Sequence, residues 1–485
     1  MTDQQRADLS AREGYPLDTT PFLDSLARTG IDFNRAYTCM PVCAPARVSM
    51  FTGRYPSATR VRTNHNIEDA TYSRDLIDIL KEQGYKIGMS GKNHSHLTED
   101  RLDFCAHFDH GGGSGKNRTK QEKEFDEFLH SLHHRTYPEP TPFPVECQGP
   151  YRAVTKAREW IDSLSGAPFF LWLTFAEPHN PYQVPEPYYS LFPPEQLPPC
   201  RSDEKALAKK GFRWQWLRSI WNRAVPDYAA ELNRARANYH GMLRLIDDQV
   251  QRFVTFLKET DLYDNTIIVF LSDHGDFAGE YGLIRKGPDL PECLTRIPLF
   301  FTGPGIVAKD TPHEAHVNIC DIMPTICEAL NVEIPDGVQG RSLWPLLTGQ
   351  KYPETEFSSA YAEHGFGGLN YTEKDDLDPV DEGALNNEFS FDCLNSWTQS
   401  GTMRMVRRDN WKLVFNMEGK GELYNLKDDP VELNNLFDDP ESAEIRQSLL
   451  EDLLTWILRV QDPLPYPRRR YVFKKDRRNY WTPHQ

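Results

Sequence analysis

Several absences narrow the classes open to this chain. No apolar run reaches membrane-spanning length, so the sequence reads as soluble and globular rather than membrane-embedded. There is no secretory signal at its start, and no internal repeat that would imply a solenoid or propeller. Its nine cysteines, an odd number at irregular spacing, make neither a disulfide framework nor a paired C-x-x-C zinc site. A positive balance is missing too. The formal charge of −16 argues against a general nucleic-acid binder, because the phosphate backbone rewards basic surfaces. Any anion would have to enter a local basic pocket.

What is present is enough chain for a large core and two units of unequal size, with 39% hydrophobic residues in 485. The first part alternates helical and strand patterns, as α/β folds do. "YSRDLIDILKEQ" reads as a helix and "GYKIGMSGKNH" as a strand. "VTKAREWIDSL" is again helical, followed by the apolar strand "APFFLWLTFAEPHNPY". Leu243, Ile246, Val250, Phe253 and Leu257 step by three and four along one face of a long helix. "NTIIVFLSDHG" and "RIPLFFTGPG" are further buried strands. Past "SLWPLLTGQ" the pattern changes. "MRMVRRDNWKLVFN" and "GELYNL" suggest an antiparallel meander, "SAEIRQSLLEDLLTWILRV" an amphipathic helix, and "RRRYVFKKDRR" a basic tail. The expected division is an α/β domain over 1–350 and a smaller sheet-plus-helix subdomain over 351–485.

Polar clusters follow three of the strands, where open α/β sheets place their sites. Each residue also has a bland reading. Asp273-His274 is either a pair of metal ligands or an ordinary strand end. Asp3-Gln4 is metal-binding or merely solvated. Lys92 and His94 in "GKNH", His179 in "EPHNPY" and Lys286 in "IRKG" are either site groups or loop residues. Together they offer oxygen and nitrogen ligands for a divalent cation, further cations, and a cysteine beside an arginine. That inventory suits hydrolysis of an anionic ester.

The stretch "MPVCAPARVSMFTGRYP" sharpens the reading. Cys43-Ala44-Pro45-Ala46-Arg47 resembles the C-x-P-x-R signature of the type I sulfatases, in the alkaline phosphatase superfamily. "TDQQRAD" and "SDHGDFAGEYGLIRKG" resemble that family's two metal motifs, "GYKIGMSGKNH" its G-K-x-H motif and "EPHNPY" its H-x-P-Y motif. "NWKLVFN" with "ELYNLKDDPVELNNL" resembles its closing subdomain. The resemblance implies an alkaline-phosphatase-like fold with a mixed, mostly parallel central sheet flanked by helices, plus a small C-terminal antiparallel sheet and helix. It implies a sulfuric ester hydrolase in which a formylglycine-generating enzyme converts Cys43. Asp3, Gln4, Asp273 and His274 would hold one divalent metal with residue 43, calcium first, with manganese or zinc as alternatives. Arg47 would steady that nucleophile. Lys92, His179 and Lys286 would grip the sulfate, His179 or Lys286 would protonate the leaving group, and His94 would be the base that releases sulfate.

Some positions depart from the family pattern. Ala46 replaces the usual Ser, Gln4 a frequent Asp, and His274 the Asn of many animal sulfatases. Gln plus His also occurs in phosphonate monoester hydrolases, which however lack the Lys and His retained here as Lys92 and His94. A phosphonate or phosphodiester hydrolase is therefore the alternative, and a non-catalytic binding protein a further one. A strand of apolar residues is expected before Asp3, and the sequence does not contain it. The compartment, cytoplasmic or periplasmic, and the oligomeric state stay open. A sulfated carbohydrate is the expected substrate class. Asn64, His65, Trp214 and Trp216 are candidate substrate contacts, the tryptophans as sugar-stacking rings of "RWQWLRSIWNR" or else as part of an amphipathic helix. "HGGGSGKNRT" resembles a phosphate loop but reads as a surface loop, and His107, Asp109 and His110 read as a solvated turn rather than a metal cluster.

Overall fold

A computed structural model of the chain describes residues 1–225, 227–366, 368–375, 400–461 and 477–482. Most of the basic tail expected at 468–478 lies outside them. The strand Lys86–Gly91 forms the middle of a sheet, parallel to Phe104–Asp109 on one side and to Phe169–Thr174 on the other. Gly112–Gly113 closes the outer edge antiparallel to Phe104–Asp109. Beyond Phe169–Thr174 lies a second set, Ile268–Leu271, Leu299–Thr302 and Ile31–Asp32, paired antiparallel.

Three residues at the start of the chain join the two sets. Phe175 N donates to Met1 O at 2.9 Å, Thr2 N donates to Leu271 O at 2.9 Å, and Asp3 N donates to Glu177 O at 3.3 Å. Met1–Asp3 thus stands where the resemblance calls for a first strand, and Asp3 ends level with Pro178 and beside Asp273. The long helix Tyr228–Glu259 and the helix Gly149–Ser163 pack on this sheet through residues such as Val154, Ile246 and Val254. Their apolar faces recur at helical spacing, which is why the sequence pattern found them.

The C-terminal meander is an antiparallel sheet of Ala360–His364, Met403–Arg408, Trp411–Asn416 and Gly421–Asn425. The helix Ala443–Val460 covers it, and Leu449, Leu453 and Trp456 enter the same apolar cluster as Met89 and Phe51 of the larger unit. Among the described residues no helix is long and apolar enough to cross a membrane.

Candidate active site

Cys43 is the first residue of the helix Cys43–Thr52, every residue of which is buried. Val42 caps it in an extended conformation but offers no side-chain acceptor. Asn64 supplies one from outside, its Oδ1 accepting the Ala44 N–H at 3.0 Å. Pro45 is tolerated because the first helical turn has no intrahelical use for its N–H. At the far end Gly53 adopts φ 62°, and a Cβ there would meet Val338 Cγ1 at 2.8 Å, so glycine is required. The helix N-terminus directs its partial positive charge at residue 43.

One turn along, Arg47 ties the metal motifs together. Its Nε donates to Asp273 Oδ2 at 2.9 Å and its Nη2 to Asp3 Oδ2 at 3.0 Å. Nη1 donates to Lys92 O at 2.8 Å and Thr174 Oγ1 at 3.1 Å. Both carboxylates therefore spend Oδ2 on the guanidinium and keep Oδ1 for the other side. Asp273 Oδ1 accepts from Gln4 N at 3.0 Å and His274 N at 2.9 Å, while Asp3 Oδ1 lies 3.6 Å from Cys43 Sγ. Cys43 Sγ is also 3.2 Å from His274 Nε2. The other ring nitrogen of His274 faces the Gly275 carbonyl at 2.9 Å, which must accept a proton from Nδ1 and leaves Nε2 as the nitrogen directed at the site. Gly275 itself is demanded by packing, since a Cβ would lie 1.9 Å from Cys293 O.

Asp3, Cys43, Asp273 and His274 present ligand atoms within 4.8 Å of one another, all from buried residues. Two carboxylates, an imidazole with its Nε2 inward and a sulfur or its oxidised equivalent are a coherent donor set for one divalent cation. Gln4 adds an amide. Its Nε2 is held by Asp276 Oδ2, which leaves Oε1 facing the site, 3.4 Å from Lys286 Nζ.

The cations close the pocket. Lys92 follows Gly91, whose φ of 121° and approach to Thr174 O leave no room for a Cβ. Its ammonium pairs with Asp3 Oδ2. Lys286 Nζ lies 3.2 Å from His179 Nε2, and His179 Nδ1 faces Asn180 O at 2.7 Å. Burial and Asp3 both push the Cys43 thiol up, but Lys286, Lys92 and His274 outweigh them and hold it well below the usual thiol range. Burial would likewise raise Asp3, yet Lys92 and Arg47 keep its carboxyl well below the ordinary value. His94, with φ 44°, also faces Cys43: burial lowers its pKa, and a hydrogen bond with Cys43 opposes that.

The fold therefore gathers Asp3, Gln4, Cys43, Arg47, Lys92, His94, His179, Asp273, His274 and Lys286 into one pocket. The four substrate-contact candidates fare differently. Asn64 is engaged at the helix N-terminus and His65 is exposed. Trp214 and Trp216 are only 2% and 8% exposed, packed in the cluster of Phe277, Tyr281 and Leu217, so neither offers a face to a sugar. The amphipathic-helix reading holds for Phe212–Ala224, whose apolar side turns inward.

Two site residues escaped the sequence reading. Asp276 binds the loop between the second metal motif and Lys286: its carboxylate accepts from Ala278 N at 2.6 Å, Arg285 N at 2.9 Å and Tyr182 Oη at 2.7 Å, besides Gln4. It sits two residues past His274, and that spacing was its only signal. His110 is the other. His107 and Asp109 belong not to the expected turn but to the strand Phe104–Asp109, where they stay partly exposed, and His110 just after it stacks on His179 with ring centroids 3.8 Å apart. His110 lies in the turn that leads to Gly112–Gly113, and the path of that turn, which sequence clustering could not resolve, brings its ring to His179.

Comparison with known proteins identifies the family and the fold. The family model described as Sulfatase matches residues 1–332. An arylsulfatase of Clostridium perfringens is 26% identical over 489 residues, spanning 93% of each chain. The phosphonate monoester hydrolase of Agrobacterium radiobacter superposes with a TM-score of 0.75 at 23% identity, covering 94% of each chain. A structure solved with its substrate D-glucosamine-2-N,6-O-disulfate superposes at 0.71 and 19% identity, covering 96% of this chain and 98% of that one.

Proposed function

The chain belongs to the sulfatase family and is a sulfuric ester hydrolase; from that premise we propose that it cleaves the sulfate monoester of a sugar, using formylglycine at position 43 and one divalent metal. The observation that carries this reading is the surroundings of Cys43. Its sulfur lies at a buried helix N-terminus, 3.2 Å from His274 Nε2 and 3.6 Å from Asp3 Oδ1, with the ammonium groups of Lys286 and Lys92 near enough to pull its pKa down. A structural cysteine has no use for such company, whereas a hydrated aldehyde at that position would have ligands on one side and cations on the other.

Asp3, Gln4, Asp273 and His274 would hold the metal, with residue 43 completing the set. When bound, it supplies charge neutralisation at the sulfate and lowers the pKa of an oxygen on residue 43. Arg47 screens the two carboxylates from each other's charge and holds both by Oδ2, so that the Oδ1 atoms would be the ones to meet the ion. Lys92 and Lys286 meet the terminal sulfate oxygens, where cations in a dry pocket act at low effective dielectric. Of the two candidate proton donors, Lys286, its Nζ beside His179 Nε2, hands a proton to the departing alcohol, and His94 takes one from the residue-43 hydroxyl that expels sulfate. The sugar class draws support from the relative solved with a sulfated glucosamine.

A phosphonate or phosphodiester activity is the second reading. It is favoured by the likeness to the phosphonate monoester hydrolase and by Gln4 with His274, and opposed by Lys92 and His94. Parallel assays decide between them. An aryl sulfate should be turned over with the higher kcat/KM than an aryl phosphodiester, and a panel of sulfated saccharides should contain a better substrate than either. Faster phosphodiester cleavage with no sulfatase turnover would overturn the assignment.

A further inference from the structure

The two lysines of the anion pocket are each paired to an imidazole, but only one of those rings belongs to the motifs of the sequence. Lys286 Nζ lies 3.2 Å from His179 Nε2, and Lys92 Nζ lies 2.5 Å from His110 Nε2. An ammonium can only donate, so both Nε2 atoms must accept and both rings carry their proton on Nδ1. His179 spends that proton on Asn180 O. His110 Nδ1 has no partner among the described residues. The rings lie face to face, 3.8 Å between centroids and 25° between planes, with His134 edge-on to His110 at 5.9 Å. Charging either ring would set a cation against the other imidazole and a lysine. Accordingly burial first, then Lys92 for His110 and the neighbouring His110 and Lys286 for His179, hold both well below the usual histidine range.

We propose that His110 is a positioning residue for sulfate-ester hydrolysis: its Nε2 aims the Lys92 ammonium at the sulfate oxygens, and its ring fixes the plane of His179. Asp3 Oδ2 and His110 Nε2 take two of the three N–H groups of Lys92 and so set the direction of the third. A lysine stem has four rotatable bonds, and Asp3 alone would let the ammonium turn about that one contact. With His110 as a second acceptor its direction is fixed. The proposal rests on the reading of Lys92 as a sulfate-binding group.

The test separates an acceptor from a spacer. His110→Phe keeps a flat ring against His179 but offers nothing to Lys92, whereas His110→Gln keeps an acceptor and loses the ring. With 4-nitrophenyl sulfate as substrate, His110→Phe should lower kcat/KM on the order of tenfold or more, because small misplacements of a charge-stabilising group are costly. The inhibition constant for inorganic sulfate should rise in parallel, while His110→Gln should recover most of the sulfate affinity. Melting temperatures recorded for each variant identify any loss that comes from misfolding alone. In a Lys92→Ala background the further substitution His110→Phe should change sulfate inhibition little, since the group it aims is gone. His110→Phe with wild-type sulfate affinity, or losses that simply add in the double variant, would overturn the proposal. A wild-type-like Lys92→Ala would instead refute the reading of Lys92 beneath it.

Discussion

Arg47 and Asp273 are joined Nε to Oδ2 at 2.9 Å with neither side chain reaching solvent. The same guanidinium holds Asp3, so one cation bridges both carboxylates of the metal motifs, Asp3 having Lys92 as well. Removing it leaves Asp273 buried without its cation, and Asp3 with Lys92 alone. Arg47→Met should cost about 3–5 kcal/mol of unfolding free energy, the usual penalty for breaking a buried pair from one side. Arg47→Lys should recover only part, because a point charge cannot span both carboxylates. Urea unfolding of the three proteins at neutral pH checks the order.

Residue 43 should carry an aldehyde after co-expression with a formylglycine-generating enzyme, visible as a sulfur-free tryptic peptide that reacts with a hydrazide. Cys43→Ala should lose nearly all turnover while keeping its melting temperature, since the side chain supplies the nucleophile and little of the packing. A fully active enzyme whose peptide shows only cysteine would sink the mechanism.

Asp273→Ala should lower bound metal, measured by elemental analysis, in step with the rate. Exhaustive chelation of the wild-type protein should abolish turnover, and re-addition of calcium, manganese or zinc should show which ion restores it. Activity that survives proven metal removal would contradict the assignment of Asp3, Gln4, Asp273 and His274.

Lys92→Ala and Lys286→Ala should each lower kcat/KM for aryl sulfates on the order of a hundredfold, the typical loss of one donor to a developing anion. Lys81, exposed on the helix Leu76–Glu82, is the control, and Lys81→Ala should change nothing measurable. Lys92 pairs with Asp3, so its loss should also cost some stability, an effect absent for Lys81. Site lysines that behave like Lys81 would be surface residues in function.

Away from the site, Asp247 accepts from Phe22 N at 2.9 Å and Leu23 N at 2.7 Å at the start of the helix Pro21–Ala27. Burial pushes its carboxyl up to about 7, against the pull of those two hydrogen bonds. The folded state thus binds the proton more tightly than the unfolded chain. That stability is full below the ordinary aspartate value and is lost as pH rises toward and through about 7. Between pH 5 and pH 8 the wild type should lose about 2–3 kcal/mol relative to Asp247→Asn, read from urea unfolding at both pH values. Parallel curves for the two proteins would show that Asp247 does not titrate in this range.

Much of the site was legible because its residues lie in short motifs at strand ends. Asp273-His274 follows the apolar run that becomes Ile268–Leu271, and Lys92 follows Lys86–Gly91. A buried strand must be apolar, so the first polar residues after it are forced to the sheet edge, and the chain order alone shows where that happens. Cys43, Pro45 and Arg47 were readable for the same local reason, since one helical turn places Cys43 and Arg47 on one face.

What the sequence by itself determined, then, was the α/β alternation, the chemistry of the motifs and the family they belong to. Only the tertiary structure decided which face each residue turned to and which distant partner it met. Trp214 and Trp216 look like sugar platforms in a basic aromatic run, but the helix turns them onto Phe277 and Tyr281, because burying large rings outweighs displaying them. His110 looks like one of three clustered turn residues, and the turn between the strands Phe104–Asp109 and Gly112–Gly113 brings it to Lys92 and His179 while Asp109 faces out. Met1–Asp3 carries no strand pattern of its own. It becomes a strand rung because the sheet on either side offers unpaired backbone groups, a constraint that exists only once Phe169–Thr174 and Ile268–Leu271 have folded around it.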